Sequence, residues 1–127
     1  QKADSVDLVA GIDARGFIFG AAMAREMGVG FVPIRKKGKL PWETLEESYE
    51  LEYGSNTIAI HTDAISAKQR VLLVDDLLAT GGTAATAASL LAKAGGRVVE
   101  AVFFIELSFL DGRVKMGNVP VRSLVDY

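Results

Sequence analysis

The chain has no cysteine and only one histidine among its 127 residues. Disulfide bonds and cysteine-ligated metals are therefore excluded, and neither a histidine-rich metal site nor a histidine relay can form. The lack of cysteine also suits a reducing compartment, so we expect the protein to be cytoplasmic. We interpret the single histidine, His61, as a solvated residue at the end of a strand.

Long apolar runs and an excess of charge of one sign are missing as well. Residues 101–105 form one of the longest apolar stretches, which is too short to cross a bilayer. Lysine and arginine number 14 against 16 acids, so the net charge is −2 and the basic character of a nucleic-acid binder is absent. We therefore expect neither a membrane nor a nucleic acid as a partner.

Hydrophobic residues make up 50% of the chain and occur in runs that alternate between strand and helix periodicity. This alternation predicts an α/β fold with a central, mostly parallel sheet flanked by helices. The length predicts a single domain over residues 1–127. The strand-like runs are residues 8–12, 31–34, 71–74 and 98–105, and the helical runs are residues 17–27 and 83–94.

The pattern changes at about residues 36–64, where a Leu-Pro pair precedes two further strand-like runs, residues 48–53 and 57–61. We interpret this segment as a hairpin or flexible flap inserted into the α/β unit, and such insertions often close over a site. A carboxylate on the flap could act as general acid or base and a tyrosine could cover the site. The residues alone do not single out Glu52 from its acidic neighbours.

The strongest motif is residues 71–83, a buried-looking strand followed by Asp75-Asp76 and the loop Leu-Leu-Ala-Thr-Gly-Gly-Thr. In open α/β sheets ligands bind beyond the carboxyl ends of the strands, where carboxylates can accept hydrogen bonds from sugar hydroxyls. The glycines let the backbone approach a ligand, and the threonine hydroxyls lie beside the free N–H groups of a new helix. We therefore predict a cradle for a phosphorylated sugar, rather than two acids that merely end a strand and a threonine that merely caps a helix.

Two further segments carry groups suited to anions. Residues 11–16 place small residues and Arg15 after the first strand, where backbone N–H groups and a planar cation could hold phosphate. Residues 35–39 hold four cations around one glycine, which fits either anion binding or a solubilising loop. The sequence offers too few ligands for a closed metal cage, so a divalent ion would arrive with a phosphorylated substrate, as Mg²⁺ usually does.

Taken together, residues 13–17, 35–41, 48–54 and 74–83 resemble the type I phosphoribosyltransferases, and among them the adenine-specific enzymes most closely. The resemblance covers nearly the whole chain. It implies a glycosyltransferase of purine salvage that converts adenine and phosphoribosyl pyrophosphate (PRPP) to AMP and pyrophosphate, with Mg²⁺ carried by PRPP rather than bound directly. These enzymes also have an N-terminal hood that contacts the base, and this chain starts after it.

The resemblance also implies roles for individual residues. The 5′-phosphate would bind to the loop, and the two acids would bind the ribose hydroxyls. Glu52 would handle a proton of the purine under the cover of Tyr53. The pyrophosphate loop would include Arg15 as a catalytic residue, and a homodimer would bring two cations into the neighbouring site. The remaining residues in these roles are Asp13 and Ala14 for pyrophosphate, Arg35 and Lys39 across the dimer, Asp75 and Asp76 for ribose, and Ala79, Thr80, Gly81, Gly82 and Thr83 for the 5′-phosphate.

Two alternatives remain. The enzyme could use another base, such as hypoxanthine, xanthine or orotate, or the protein could be a regulator that senses PRPP without catalysis and binds nucleic acid. The net acidic charge and Glu52 on the flap favour the enzyme.

Overall fold

The structure is a computed structural model that describes residues 6–41, 43–50 and 54–127. Strands and helices alternate through most of this part of the chain. In order along the chain they are β1 (Leu8–Ile12), α1 (Arg15–Met27), β2 (Gly30–Lys36), β3 (Thr44–Glu50), β4 (Ser55–His61), β5 (Arg70–Leu78), α2 (Gly82–Lys93), β6 (Arg97–Glu106), a 3-10 turn (Ser108–Leu110), α3 (Gly112–Met116) and β7 (Val121–Asp126).

The strands form one sheet in the order β3-β4-β2-β1-β5-β6-β7. β1 pairs in parallel with β2 and β5, and β6 pairs in parallel with β5 and β7. Only the hairpin strands are antiparallel, β3 to β4 and β4 to β2, among the described residues. The predicted α/β fold with a mostly parallel sheet is therefore confirmed.

The core lies on both faces of the central strands, because β1 and β5 are apolar runs covered from two sides. On one face, Val9 and Leu72 pack with Ala24 of α1. On the other face, Leu73 packs with Leu90 and the neighbouring side chains of α2. Because the pairings among β1, β2, β5, β6 and β7 are parallel, the carboxyl ends of these strands all lie at the same edge of the sheet.

Glycines with positive φ follow the two long helices. Gly28 has φ 72° at the end of α1, and its N–H bonds back to the last turn. Of the Gly95-Gly96 pair, only Gly95 adopts positive φ, at 100°. Gly96 instead fits against Ile65 and Val71, where a Cβ atom would come within 3.2 Å of both.

The predicted flap is a hairpin that belongs to the sheet. Its first strand begins at Thr44, earlier than the predicted start at residue 48, and residues 51–53 lie outside the described part. Its second strand is core, since Ile58 and Ile60 are 4% and 0% exposed. His61 ends this strand and is half-buried. No helix among the described residues is long and apolar enough to cross a membrane.

Candidate active site

A cleft of about 590 Å³ opens at the carboxyl ends of β1, β2 and β5. Three segments that are distant in sequence meet there because β1 lies between β2 and β5 in the sheet. Glu52 and Tyr53 lie outside the described residues. The other predicted site residues all line the cleft: Asp13, Ala14, Arg15, Arg35, Lys39, Asp75, Asp76, Ala79, Thr80, Gly81, Gly82 and Thr83.

The acid pair lies near the end of β5, which continues past both acids to Leu78. The Asp76 carboxylate forms an ion pair with Arg15, with 2.8 Å between Nε and Oδ2. Asp75 accepts a hydrogen bond from the backbone N–H of Asp76 at 2.8 Å. Gly16 is pressed against the same place, since a Cβ atom there would lie 2.9 Å from the Val74 carbonyl oxygen. Glycine at position 16 therefore lets α1 start close beside the acids.

Burial raises the pKa of Asp75 to about 7, and the Asp76 carboxyl adds to the rise. The Asp76 N–H and the Arg15 guanidinium oppose this effect by favouring the ionised form. Asp75 therefore exchanges a proton near neutral pH, and donors such as sugar hydroxyls would favour its ionised form.

The other side of the cleft is built on Asp13 and Arg35, at the ends of β1 and β2. Arg35 donates to Asp13 from Nε at 2.9 Å and to the Lys39 carbonyl from Nη1 at 3.4 Å. The Arg35 guanidinium also lies over the Phe17 ring, 5.9 Å from its centroid. The peptide bond between Asp13 and Ala14 is cis. Arg35 is thus anchored within its own chain, and the predicted reach into a partner's site stays a prediction.

The loop after β5 turns into α2 at Gly81, which has φ 91° and no side-chain cap. The first N–H groups of a helix lack partners within it, and the first residues of α2, 82–84, line the cleft. Thr83 does not cap the helix. Its hydroxyl lies 2.8 Å from the Tyr49 hydroxyl of β3.

Residues outside the predicted set support this loop. A Cβ atom on Gly81 would lie 2.5 Å from the Gly112 carbonyl oxygen, and one on Gly112 would lie 2.5 Å from the Ala79 carbonyl oxygen. The start of α3 is therefore packed directly against the loop. The sequence gives no local signal for this contact, because it joins segments that only the tertiary fold brings together.

An ion pair between the buried Glu106 and Arg113, whose side chain is 51% exposed, holds α3 in place. Glu106, 4% exposed at the end of β6, accepts two hydrogen bonds of 2.7 Å from Arg113 and one of 2.9 Å from Ser123. Chiefly the Arg113 hydrogen bond, with help from Ser123, holds the pKa of Glu106 below its usual range. Arg113 follows Gly112 directly, so this pairing fixes the residue that backs the loop.

Residues 1–118 match the family model of the phosphoribosyl transferase domain. The chain belongs to this family of phosphoribosyltransferases. Its relatives include the adenine phosphoribosyltransferase of Brevibacillus brevis, 59% identical over 121 residues, which are 95% of this chain and 71% of that protein. The adenine phosphoribosyltransferase of Maricaulis maris is 60% identical over 124 residues, 96% of this chain and 71% of that protein.

Solved structures agree with the sequence relatives. The adenine phosphoribosyltransferase of Thermoanaerobacter pseudethanolicus superposes with a TM-score of 0.94 at 53% identity, covering 96% of this chain and 71% of that one. The Saccharomyces cerevisiae adenine phosphoribosyltransferase was solved in complex with D-2,5-dideoxy-2,5-imino-altritol 1,6-bisphosphate and adenine. It superposes with a TM-score of 0.90 at 47% identity, covering 94% of this chain and 67% of that one. The predicted resemblance to adenine phosphoribosyltransferases and the predicted type I phosphoribosyltransferase fold are confirmed.

Proposed function

We propose that this chain transfers the 5-phosphoribosyl group of PRPP to adenine, giving AMP and pyrophosphate. One observation carries the proposal: a single cleft combines an acid pair, a glycine-rich loop at a helix N-terminus and an arginine-containing loop on the neighbouring strand. These are the groups needed for ribose hydroxyls, for one phosphate and for a second, distant phosphate group. The adenine-specific relatives described above agree with the predicted base.

In the proposed reaction, N9 of adenine forms a bond to the anomeric carbon of the ribose as the bond to pyrophosphate breaks. Positive charge develops on the sugar, as in glycosidic cleavage. Asp75 and Asp76 accept hydrogen bonds from the ribose hydroxyls and so hold the ring beside the base. Their negative charge also lies close to the developing cation, where preorganised charge lowers the barrier.

The two ends of PRPP bind to different loops in this proposal. Residues 79–83 hold the 5′-phosphate through backbone N–H groups and the two threonine hydroxyls. Asp13, Ala14 and Arg15 form the pyrophosphate loop. The Arg15 side chain is 75% exposed in its pair with Asp76, so it can turn toward the leaving pyrophosphate at small cost.

The residues present fit a Mg²⁺ ion that enters with PRPP. Among residues 6–41, 43–50 and 54–127, no three His, Cys, Asp or Glu side chains cluster closely enough to hold a metal ion by themselves. Mg²⁺ commonly keeps several waters and binds through substrate phosphates, so the ion would be carried by PRPP while Asp75 and Asp76 bind the ribose hydroxyls. When bound, the ion would neutralise charge on the pyrophosphate.

We further propose that Glu52 handles the proton of the purine ring and that Tyr53 covers the base, as the family resemblance implies. Glu52 and Tyr53 lie two and three positions beyond the end of β3 in the sequence, and Tyr49 of β3 lines the cleft. We also propose a cytoplasmic enzyme of purine salvage that acts as a homodimer, with Arg35 and Lys39 near the neighbouring site.

The reaction is tested by measuring AMP formation with PRPP, Mg²⁺ and adenine, hypoxanthine, xanthine or orotate in separate assays. We expect turnover with adenine and little with the other bases. The variant with Asp75→Asn and Asp76→Asn should bind PRPP weakly and serves as the control for contaminating activity. Turnover with another base would correct the substrate, whereas PRPP binding without any turnover would favour the sensor.

A further inference from the structure

The hairpin β3–β4 is hydrogen-bonded to the first turn of the helix that follows the phosphate loop. Tyr49 of β3 lies with its hydroxyl 2.8 Å from the Thr83 hydroxyl. Asn56, which pairs with Tyr49 across the hairpin, donates from Nδ2 to the Tyr49 hydroxyl at 3.4 Å. Neither Tyr49 nor Asn56 is among the site residues that the sequence predicts.

The chemistry of the groups fixes the direction of the Asn56–Tyr49 bond and allows Tyr49 to donate in the Tyr49–Thr83 bond. An amide nitrogen only donates, so the Tyr49 oxygen accepts from Asn56 and its proton is free to point elsewhere. The Thr83 oxygen, 2.8 Å away, can accept this proton. When Tyr49 donates to Thr83, the Thr83 proton is left for another acceptor. An anionic phosphate in the cleft needs donors, and Thr83 lines that cleft.

We propose that Asn56, Tyr49 and Thr83 form a hydrogen-bond relay that aims the Thr83 proton at the 5′-phosphate of PRPP. Tyr49 is thus a positioning residue for phosphate binding and couples the hairpin to the phosphate loop. This inference rests on the proposed function, since it assigns the ligand of the same cleft.

The packing around Tyr49 is suited to this role. The Tyr49 ring lies against the start of α2, because a Cβ atom on Gly82 would lie 3.6 Å from Cδ2 of the ring. A second contact joins the same two elements farther along, where Lys93 Nζ lies 3.2 Å from Glu47 Oε1. β3 is therefore held along α2 at two points, which fixes the tyrosine hydroxyl over Thr83.

The test measures the Kd of ribose 5-phosphate by calorimetry and the kinetic constants for PRPP and adenine, all on the full chain. Tyr49→Phe keeps the ring and removes only the hydroxyl. We expect this variant to bind ribose 5-phosphate about three- to tenfold more weakly, because one hydrogen bond to a charged group loses its orientation. The KM for PRPP should rise similarly, while kcat and the KM for adenine should stay unchanged.

Ser48→Ala is the matched control. Ser48 is the preceding residue of β3, and its hydroxyl lies 2.6 Å from that of Thr57, at an exposed position on the opposite face. This variant also loses one hydroxyl pair of the hairpin but should keep the wild-type affinity for ribose 5-phosphate. An equal loss in both variants would show a general effect of the hairpin and would overturn the relay.

Two further variants test whether Tyr49 acts through Thr83. In a Thr83→Val background, Tyr49→Phe should change the Kd by less than about twofold, because residues that act as one unit are not additive. Thr83→Ser keeps the hydroxyl and should restore the response to Tyr49→Phe. Additive effects of Tyr49→Phe and Thr83→Val would contradict the relay.

The outcomes separate the relay from the proposed reaction. Ribose 5-phosphate binding that weakens in Tyr49→Phe, in a protein that forms no AMP, would refute the reaction and retain the relay. AMP formation with an unchanged Kd in Tyr49→Phe would retain the reaction and refute the relay.

Discussion

Burial of the Asp75 side chain disfavours its ionised form, so its pKa is raised in the folded protein. The unfolded chain loses this proton near the ordinary aspartate value of 3.8, whereas the folded protein keeps it until about pH 7. Between these values the native state binds more protons than the unfolded state, so raising the pH lowers the free energy of unfolding. The ribose hydroxyls of PRPP donate to the ionised form, so PRPP affinity should rise as the pH passes through about 7.

Asp75→Asn removes this proton and keeps an oxygen that can accept from the Asp76 N–H. We expect the free energy of unfolding of the variant, relative to the wild type, to increase by about 2 kcal/mol from pH 5 to pH 7 and then to level off. Urea unfolding at pH 5, 6, 7 and 8 measures this difference. Asp63→Asn, which makes the same substitution at an exposed position, is the control. A constant difference for Asp75→Asn would contradict the assigned burial effect.

Glu52→Gln tests the proposed proton transfer. We expect kcat for AMP formation to fall by about 100-fold or more, because general acid-base catalysis contributes on this scale. The Kd for PRPP should change little, since the carboxylate acts on the base. Glu50→Gln is the control, because residue 50 is exposed at the end of β3 and carries the same change in charge. Normal turnover of Glu52→Gln would show that another group moves the proton.

At the scale of elements, the loop of residues 79–83 is in contact with α3 as well as being continuous with α2. The loop and α3 meet through two glycines, and the Glu106–Arg113 pair keeps α3 where it is. The loop is therefore packed against a segment that follows it in sequence only after α2 and β6.

Gly112→Ala should displace the loop, because the new Cβ atom would lie 2.5 Å from the Ala79 carbonyl oxygen. We expect a loss of about 1–3 kcal/mol in the free energy of unfolding, as for other overpacked sites, together with weaker PRPP binding. Denaturant unfolding and PRPP calorimetry measure the two effects. Gly30→Ala is the control, since its Cβ atom would meet only the end of the Leu8 side chain. Wild-type PRPP affinity in Gly112→Ala would show that α3 does not position the loop.

The sequence predicts the elements around the site better than their contacts. The acids, the Thr-Gly-Gly-Thr loop and the Asp-Ala-Arg segment are local patterns, each placed at the end of an apolar strand, and the cleft contains all of them. The packing of Gly112 against the loop and the bond between Tyr49 and Thr83 join distant segments. Such contacts depend on strand order and helix placement, which hydrophobic periodicity does not specify.

For the hairpin β3–β4, the sequence predicts the strands but not their place in the sheet. An inserted turn-rich segment predicts a flap, but Ile58 and Ile60 are core residues and β4 pairs with β2. Alternation of polar and apolar residues is the same for a strand that covers a ligand and for one that extends the sheet.

For the whole molecule, the proposed homodimer makes a prediction about mixed dimers. If Lys39 acts in the neighbouring site, each site combines the two acids of one subunit with Lys39 of the other. A heterodimer of the Lys39→Ala chain with the Asp75→Asn, Asp76→Asn chain then has one intact site, and its other site carries all three substitutions. We expect co-expression to restore up to about half of the wild-type activity, although each homodimer is weak. AMP formation by the purified heterodimer measures this. Activity no higher than in the homodimers would mean that Lys39 serves the site of its own chain.

The place of β1 in the sheet also bears on how the protein folds. β1 lies between β2, which follows closely in sequence, and β5, which follows only after the whole hairpin. Closing this long-range parallel pair is slow compared with forming either long helix. The cleft exists only once the pair has closed, so ligand affinity during refolding should appear after helical circular dichroism has recovered. The rate at which PRPP binding appears would then report the rate at which β1 pairs with β5.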